Sequence, residues 1–256
     1  MGVLEIEQFI CRSDNIGVLI HDPVNNLTAA IDAPEEAPIL AALQRHGWKL
    51  DYIFTTHHHH DHVEANFALK QKFGLTIYGP HSEADKIPEI DVTLNDGDSF
   101  QLGQFEVQVL STPGHTKGEI SYYIPQSKVA FTGDTLFSLG CGRLLEGTPQ
   151  QMFKSLRVLT ALPADTAIYC GHEYSASNAR FALTIDPDNE ALQQRAAEIT
   201  RLRANDQLTL PTSMAQELAT NPFLRASDAQ IRAHLSMTDA SDEQVFTRIR
   251  ALKDNF

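Results

Sequence analysis

The chain has 256 residues, enough for one full-sized core or for one large and one small domain. It is 42% hydrophobic and 21% charged, a composition typical of soluble globular proteins, and no run is apolar enough to span a membrane. For that reason we expect no membrane partner. Its formal net charge of -13 opposes a phosphate backbone, so we expect no nucleic-acid partner either.

The N-terminal stretch and the cysteines both favour the cytoplasm. Residues 1–10 carry Glu5 and Glu7 and lack the basic start of a signal peptide. The three cysteines at positions 11, 141 and 170 are too far apart for a CxxC metal site or a disulfide framework. We therefore expect a cytoplasmic protein with free thiols, and we expect it to be a monomer.

Strand-like runs alternate with helical stretches over the first two thirds of the chain. Hydrophobic spacing and turn residues predict the following elements in chain order: paired strands at 17–20 and 28–31 around Asn25 and Asn26, a helix over 34–46 ending at Gly47, a buried strand at 52–54, a helix over 62–73 ending at Gly74, a strand at 105–109, a hairpin of 122–124 and 129–131 across 125–127, and a last clear strand at 167–169.

Beyond about Tyr174 the strand signal fades and helical patterns take over. Residues 188–203 predict a polar helix, and Ser227 with Gln230, like Ser241 with Gln244, has the spacing of a capping box that opens a helix. The sequence therefore predicts a mixed α/β domain over 1–173 and a helical C-terminal domain over 174–256.

Potential metal ligands follow four of the predicted strands. The run Thr56-His57-His58-His59-His60-Asp61-His62 comes directly after the strand at 52–54. The strands that end near residues 110, 131 and 169 lead to His115, Asp134 and His172. Because strand ends in layered α/β proteins often meet at one edge, we expect these side chains to converge.

The set holds five histidines and two aspartates, namely His57, His59, Asp61, His62, His115, Asp134 and His172. One tetrahedral ion needs about four ligands, so seven suit two ions with Asp134 as the bridge. Imidazole and carboxylate accept zinc, iron or manganese, and we expect zinc. His58 and His60 alternate with the ligands and should point elsewhere, with a supporting role as the alternative, and His21, His46, His81 and His234 should be structural or solvated.

The motif His57-x-His59-x-Asp61-His62 with His115, Asp134 and His172 resembles the metallo-β-lactamase superfamily. That resemblance implies an αββα sandwich over the first 173 residues, with the two-metal site at one edge. His57, His59 and His115 would hold one ion, Asp61, His62 and His172 the other, and Asp134 would bridge them. Asp61 and Asp134 are the candidates for a catalytic role beyond ligation.

Within the superfamily, nearly the whole chain resembles the glyoxalase II family. The motifs that carry this resemblance are Thr112-Pro113-Gly114-His115-Thr116, Phe131-Thr132-Gly133-Asp134, Gly140-Cys141-Gly142-Arg143, Gly171-His172-Glu173-Tyr174 and the segment from Arg250 to Phe256. The resemblance implies hydrolysis of S-D-lactoylglutathione and related 2-hydroxyacylglutathiones by a metal-bound hydroxide, a step of methylglyoxal detoxification.

The same resemblance implies a set of substrate-binding residues. Arg250 and Lys253 would grip the glycine carboxylate of glutathione, and their spacing of three places both on one helix face. Tyr174 and Asn178 would lie near the glutathione backbone, and Arg143 stands where some members carry lysine. Leu145 departs from the family, since some members have a tyrosine there, so one contact with the peptide would be missing.

Several alternatives share the metal site. A β-lactamase of the best-known type would place a cysteine at position 134, and a flavodiiron protein would place glutamate at position 59. A tRNA-processing nuclease would need a basic surface. A persulfide dioxygenase, which uses one iron and O₂, and a non-catalytic metal-binding module remain to be separated by assay.

Overall fold

A computed structural model describes residues 2–256, and the chain divides into two compact units. The first unit comprises the chain up to Ser111 together with Gly118–Gly133, and the second comprises Thr112–Lys117 together with Asp134–Phe256.

Among the described residues, the first unit contains ten strands, three α-helices and two short 3₁₀ helices. In chain order they are β1 (Glu5–Cys11), β2 (Asn15–Asp22), β3 (Leu27–Ile31), α1 (Glu36–His46), β4 (Tyr52–Phe54), α2 (His60–Val63), α3 (Asn66–Phe73), β5 (Thr76–Pro80), a 3₁₀ helix (His81–Lys86), β6 (Val92–Leu94), β7 (Ser99–Leu102), β8 (Phe105–Ser111), β9 (Ile120–Ile124), a 3₁₀ helix (Pro125–Ser127) and β10 (Val129–Phe131).

These strands form two sheets. The first has the order β1-β2-β3-β4-β5-β6, antiparallel up to β3 and parallel from β3 to β6. The other strands of the unit run antiparallel in the order β10-β9-β8-β7. The predicted pairing of 17–20 with 28–31 and the hairpin across 125–127 are both confirmed.

Strand β4 lies in the middle of this unit and separates two apolar layers. On one face Ile53 packs with Ile39 of α1 and Leu69 of α3 in a fully buried cluster. On the other face Phe54 contacts Phe100 and Tyr122 of the second sheet, with ring centroids 4.9 and 5.7 Å apart. Successive side chains of a strand point to opposite faces, and both faces of β4 are packed, so the strand is apolar throughout. This packing fixes the end of β4, from which the segment with His57 begins.

The predicted helix over 62–73 is wrong in detail, because the chain makes two helices there. The N–H of Ala33 donates to the carbonyl of His62 at 2.8 Å, and the N–H of Ala65 donates to the carbonyl of Ala33 at 3.0 Å. This pairing with a distant segment interrupts the helical hydrogen-bond ladder between α2 and α3. The predicted end at Gly74 is confirmed, since Gly74 adopts φ 65° and its N–H caps α3 through the carbonyl of Lys70.

The second unit is mainly helical. Its elements are β11 (Leu136–Phe137), β12 (Gly140–Cys141), α4 (Pro149–Leu159), β13 (Ala167–Tyr169), α5 (Ser175–Ile185), α6 (Glu190–Arg203), β14 (Thr212–Ser213), α7 (Met214–Thr220), α8 (Ala229–His234) and α9 (Asp242–Asp254). Helices α5 and α6 pack through Ala182, Leu192 and Ile199, and α4 meets α9 through Phe153 and Phe246.

Two details of the second unit differ from the sequence prediction. Asp228, not Ser227, caps α8, because its side chain accepts from the N–H groups of Gln230 and Ile231. The short strand β14 follows the predicted last strand and pairs with it. The capping box of Ser241 and Gln244 at the start of α9 is confirmed. Within residues 2–256, no helix has the length and apolar character needed to cross a membrane.

Candidate functional site

The seven predicted ligands are contributed by both units. His57, His62, His115, Asp134 and His172 are buried, and His59 and Asp61 are partly exposed. Burial of this many imidazoles and carboxylates is costly unless they are paired or bind metal. Each unit holds its own members in a defined arrangement.

Asp32 fixes the start of the ligand motif in the first unit. This residue follows β3 and adopts φ 57°, a left-handed conformation that non-glycine residues rarely adopt. Its carboxylate accepts from the N–H of Thr56 at 2.7 Å and from the Thr56 hydroxyl at 2.9 Å. The same carboxylate accepts from Nδ1 of His62 at 2.8 Å. Asp32 therefore orients His62 with Nε2 directed away from this contact.

The two histidines of the His57-x-His59 pair face each other. Nε2 of His57 lies 3.1 Å from Nδ1 of His59, and their rings are nearly perpendicular at 82°. Nδ1 of His57 contacts the Thr56 hydroxyl at 3.0 Å, and it lies 3.7 Å from the buried carboxylate of Glu119. Nε2 of His57 and Nδ1 of His59 are close enough to bind the same cation. Nδ1 of His57 lies against oxygen atoms, as the second nitrogen of a metal-binding histidine usually does.

Asp61 is oriented from a different strand. Nδ2 of Asn15, at the start of β2, donates to Oδ2 of Asp61 at 3.0 Å and to its carbonyl at 3.1 Å. The same Oδ2 lies 3.7 Å from Nε2 of His62. A carboxylate oxygen and an imidazole nitrogen thus form a second pair of donors in this unit.

The alternating residues His58 and His60 make other contacts. The backbone N–H of His58 donates to Oε2 of Glu83 at 3.0 Å, and ring Nδ1 of His58 lies 2.8 Å from the same oxygen. Glu83 is buried, and its other oxygen accepts from the N–H of Gly118 at 2.8 Å. His60 is largely exposed and lies 3.5 Å from Glu64. Glu83 therefore ties the ligand motif to the segment before β9.

Asp134 is the centre of the ligand set in the second unit. Its Oδ2 lies 3.4 Å from Nε2 of His115 and 3.3 Å from Nε2 of His172. Nδ1 of His115 donates to the carbonyl of Arg143 at 2.9 Å, which directs Nε2 toward Asp134. A β-carbon at Gly142 would lie 1.9 Å from the carbonyl of Asp134, so only glycine fits beside it.

Aromatic rings support His172. The ring of Tyr174 stacks on it with centroids 4.7 Å apart and an interplanar angle of 4°, and Phe137 meets both rings edge-on. Tyr174 is 38% exposed, so its ring supports the imidazole and remains accessible to solvent.

The donor set fits a metal. Imidazole and carboxylate are ligands of zinc, iron and manganese, and ligating histidines normally direct their second nitrogen to an oxygen. His57, His62 and His115 do so, through Thr56, Asp32 and a main-chain carbonyl. The described histidines and acidic residues include several groups of three whose donor atoms lie close enough to hold an ion.

Helix α9 supplies the predicted basic pair, and its two members differ. Arg250 is 3% exposed, donates from Nη1 to the carbonyl of Cys141 at 2.8 Å and pairs with Asp254 at 2.8 Å. Lys253 is half-buried, and its Nζ donates to Oγ and the carbonyl of Ser177 at 3.2 and 3.3 Å. Arg250 is thus fixed to β12, while Lys253 is bound by neutral groups.

Positive charge accumulates around Lys253. Burial, together with the neighbouring charges of Arg250, Arg180 and Arg143, lowers the pKa of Lys253 to about 8. Among residues 2–256, Arg250 is the one of these four cations with a carboxylate partner. In a protein of net charge -13, such a cluster favours an anionic ligand.

The remaining predicted residues are placed as follows. Asn178 is buried and donates from Nδ2 to the carbonyl of Ser138 at 3.0 Å, so part of its amide is committed to the turn between β11 and β12. Arg143 is exposed, and Leu145 is 61% exposed, with an aliphatic side chain that cannot donate a hydrogen bond.

The sequence interpretation missed the supporting carboxylates. Asp32 directly follows β3 as the ligands follow their strands, and Glu119 directly precedes β9, so strand ends were the available signal for both. Glu83 lies in a 3₁₀ helix with no such signal, and only its contacts identify it.

Comparisons with known proteins show which family the chain resembles. The family model described as the metallo-beta-lactamase superfamily matches residues 14–172, and the model described as the hydroxyacylglutathione hydrolase C-terminus matches residues 173–256. A hydroxyacylglutathione hydrolase of Brucella anthropi is 67% identical over 253 residues, covering 99% of this chain and 97% of that protein.

Solved structures show similar folds. ETHE1 from Myxococcus xanthus superimposes with a TM-score of 0.70 at 27% identity, covering 96% of this chain and 90% of that one. TTHA1623 in a di-iron-bound form gives a TM-score of 0.56 at 27% identity, covering 65% of this chain and 91% of that one.

Proposed function

The chain belongs to the hydroxyacylglutathione hydrolase family of the metallo-β-lactamase superfamily, and we propose that it hydrolyses S-D-lactoylglutathione to glutathione and D-lactate. The enzyme is a hydrolase of the glyoxalase II type, which acts in methylglyoxal detoxification. The expected metallo-β-lactamase fold with a separate C-terminal family segment is confirmed. The 67% identity to a full-length hydroxyacylglutathione hydrolase carries this assignment.

The protein binds metal, and the finer assignment of ligands is our proposal. One ion would be held by His57, His59 and His115, a second by Asp61, His62 and His172, and Asp134 would bridge them. The position of one Asp134 oxygen within 3.4 Å of two imidazole nitrogens supports the bridge. A similar structure described as di-iron-bound supports a pair of ions, and zinc is our choice among zinc, iron and manganese.

The chain's own residues prepare the reaction. Bound ions would activate water and polarise the thioester carbonyl, as metal sites of this chemistry do. Asp32 holds His62 and Thr56 in one hydrogen-bonded unit, so this part of the ligand set is built before substrate arrives. The leaving thiolate needs no strong acid, because a thiol's pKa is about 8.5, and this explains why no dedicated proton donor is evident.

The basic cluster would bind glutathione. We assign the glycine carboxylate to Lys253 and Arg250, with Arg143 and the accessible Tyr174 along the peptide. Arg250 has a second role, since its guanidinium also anchors α9 to Cys141. A role for Asn178 in binding stays a prediction.

Other features remain proposals. The two family models meet at residues 172 and 173, which supports a domain boundary near residue 173. Zinc as the metal, the monomeric state and the cytoplasmic location stay predictions.

A thioester assay on metal-quantified protein tests the function. We expect metal-dependent release of glutathione from S-D-lactoylglutathione. Lys253→Ala should raise KM about 10–100-fold with little change in kcat, which is the value of a charge-assisted hydrogen bond. Lys154→Ala, which removes an exposed lysine of α4, is the matched control and should leave KM unchanged. Fully metal-loaded protein that leaves the thioester intact would refute the proposal.

A further inference from the structure

The ammonium group of Lys253 lies in a cradle made by three residues, Ser177 and Phe181 of α5 and Phe256. Its Nζ is 5.2 Å from the centroid of the Phe181 ring and 5.1 Å from that of Phe256. The two rings meet edge to face with centroids 5.5 Å apart, so together they form a corner. Ser177 closes the third side with its hydroxyl and its carbonyl.

The two rings and the serine oxygens that contact the ammonium are all neutral. Ring faces and serine oxygens attract an ammonium without neutralising it. Arg250, one turn earlier on α9, is different. It forms an ion pair with Asp254, and its Nη1 donates a hydrogen bond to the carbonyl of Cys141. Within the part of the chain that the structure describes, Lys253 has no ion-pair partner, so its ammonium is available to an incoming carboxylate, whereas Arg250 is already paired with Asp254.

The cradle also offsets the electrostatic cost of keeping Lys253 charged. Lys253 is half-buried beside Arg143, Arg180 and Arg250, and these surroundings favour the neutral amine. The negative faces of two rings favour the charged form instead. Removing one ring therefore weakens the group that keeps the ammonium both charged and in place.

Phe256 contributes little to the core. Its side chain is 60% exposed, while Phe181 is buried and also packs on Phe223. The exposed position means that a substitution of Phe256 should spare folding, which separates a positioning role from a structural one.

We propose that Phe256 is a positioning residue for substrate binding, which acts with Phe181 and Ser177 to hold the Lys253 ammonium ready for the anionic end of the thioester substrate. This inference rests on the proposed function, which assigns Lys253 to the glycine carboxylate. It adds a residue that touches Lys253 and not the reacting atoms.

Steady-state kinetics of Phe256 variants test the role. Phe256→Ala and Phe256→Leu should each raise KM for S-D-lactoylglutathione about 2–5-fold, the expected loss of one exposed cation–π contact, with kcat unchanged. Phe256→Trp should restore KM to the wild-type value, because tryptophan offers the best ring face. Phe67→Ala is the matched control, since Phe67 is 58% exposed on α3 in the first unit.

A second substrate locates the effect. When the glycine carboxylate is replaced by an amide, Phe256→Ala should no longer change KM, because the charge that Lys253 binds is gone. A KM for the normal substrate that stays at the wild-type value in Phe256→Ala or in Phe256→Leu would overturn the proposal.

A measurement without turnover separates this inference from the proposed function. The side-chain NMR signals of Lys253 should carry ring-current shifts that change in Phe256→Ala, where only the Phe181 ring remains, and glutathione binding measured by calorimetry should weaken in parallel. If the wild-type protein failed to hydrolyse the thioester, the proposed function would be wrong. The NMR signals would still show whether the Phe256 ring contacts Lys253. If Phe256→Ala kept both the wild-type Lys253 shifts and the wild-type glutathione affinity, the positioning role of Phe256 would be wrong and the proposed function would be unaffected.

Discussion

The pH dependence of substrate capture should report the ionisation of Lys253. Burial and the charges of Arg250, Arg180 and Arg143 lower its pKa to about 8. The ammonium form binds a carboxylate strongly and the neutral amine does not. We therefore expect kcat/KM to be highest below pH 8 and to fall as the pH rises through that value.

The size of the effect follows from the fraction of protonated lysine. With a pKa of about 8, roughly nine tenths of Lys253 is charged at pH 7 and one tenth at pH 9, so kcat/KM should fall about tenfold. A lysine with the ordinary pKa of about 10.4 would lose only a few per cent of its charge over the same range.

Initial rates at substrate concentrations well below KM give the required profile, because kcat/KM follows the ionisation of the free enzyme. Spontaneous thioester hydrolysis is subtracted at each pH. Lys253→Arg is the matched variant, since arginine stays charged over this range and should abolish the basic limb. A flat wild-type profile from pH 7 to 9, or a basic limb that survives in Lys253→Arg, would refute the reasoning.

Three further predictions concern the metal site and stability. Asp134→Ala should lower both metal content and kcat, and a variant with full metal by mass spectrometry and normal turnover would disprove the bridge. Glu83→Ala removes the carboxylate that contacts the backbone N–H and the ring of His58, and it should weaken metal binding about 10–100-fold in chelator competition, with partial recovery in Glu83→Gln. Burial alone would raise the pKa of Asp22, but hydrogen bonds from Asn25 and Gln104 lower it to about 2. The ionised Asp22 therefore stabilises the fold above about pH 4, and this stabilisation is lost as the pH falls toward 2. Asp22→Ala should accordingly cost about 2 kcal/mol in urea unfolding at pH 7 and much less near pH 2.

The sequence alone predicted the metal ligands and indicated the family to which the chain belongs. His57, His115, Asp134 and His172 each follow an apolar run, and the dense motif after β4 needs no long-range information to be recognised. Hydrophobic periodicity and capping residues also located most of the elements, since both depend on neighbours a few residues away. Ser241 and Gln244 at the start of α9 are an example.

Only the tertiary structure decided which groups contact the predicted metal ligands and the ammonium of Lys253. Asp32 reaches His62 across 30 residues, Arg250 reaches Cys141 across 109, and Lys253 reaches Ser177 across 76. The break between α2 and α3 has the same origin, because Ala33 takes hydrogen bonds that a continuous helix would use. Such partners leave no periodic trace in the sequence, since a hydrogen bond or a ring contact depends on distance in space, which only the packed chain sets.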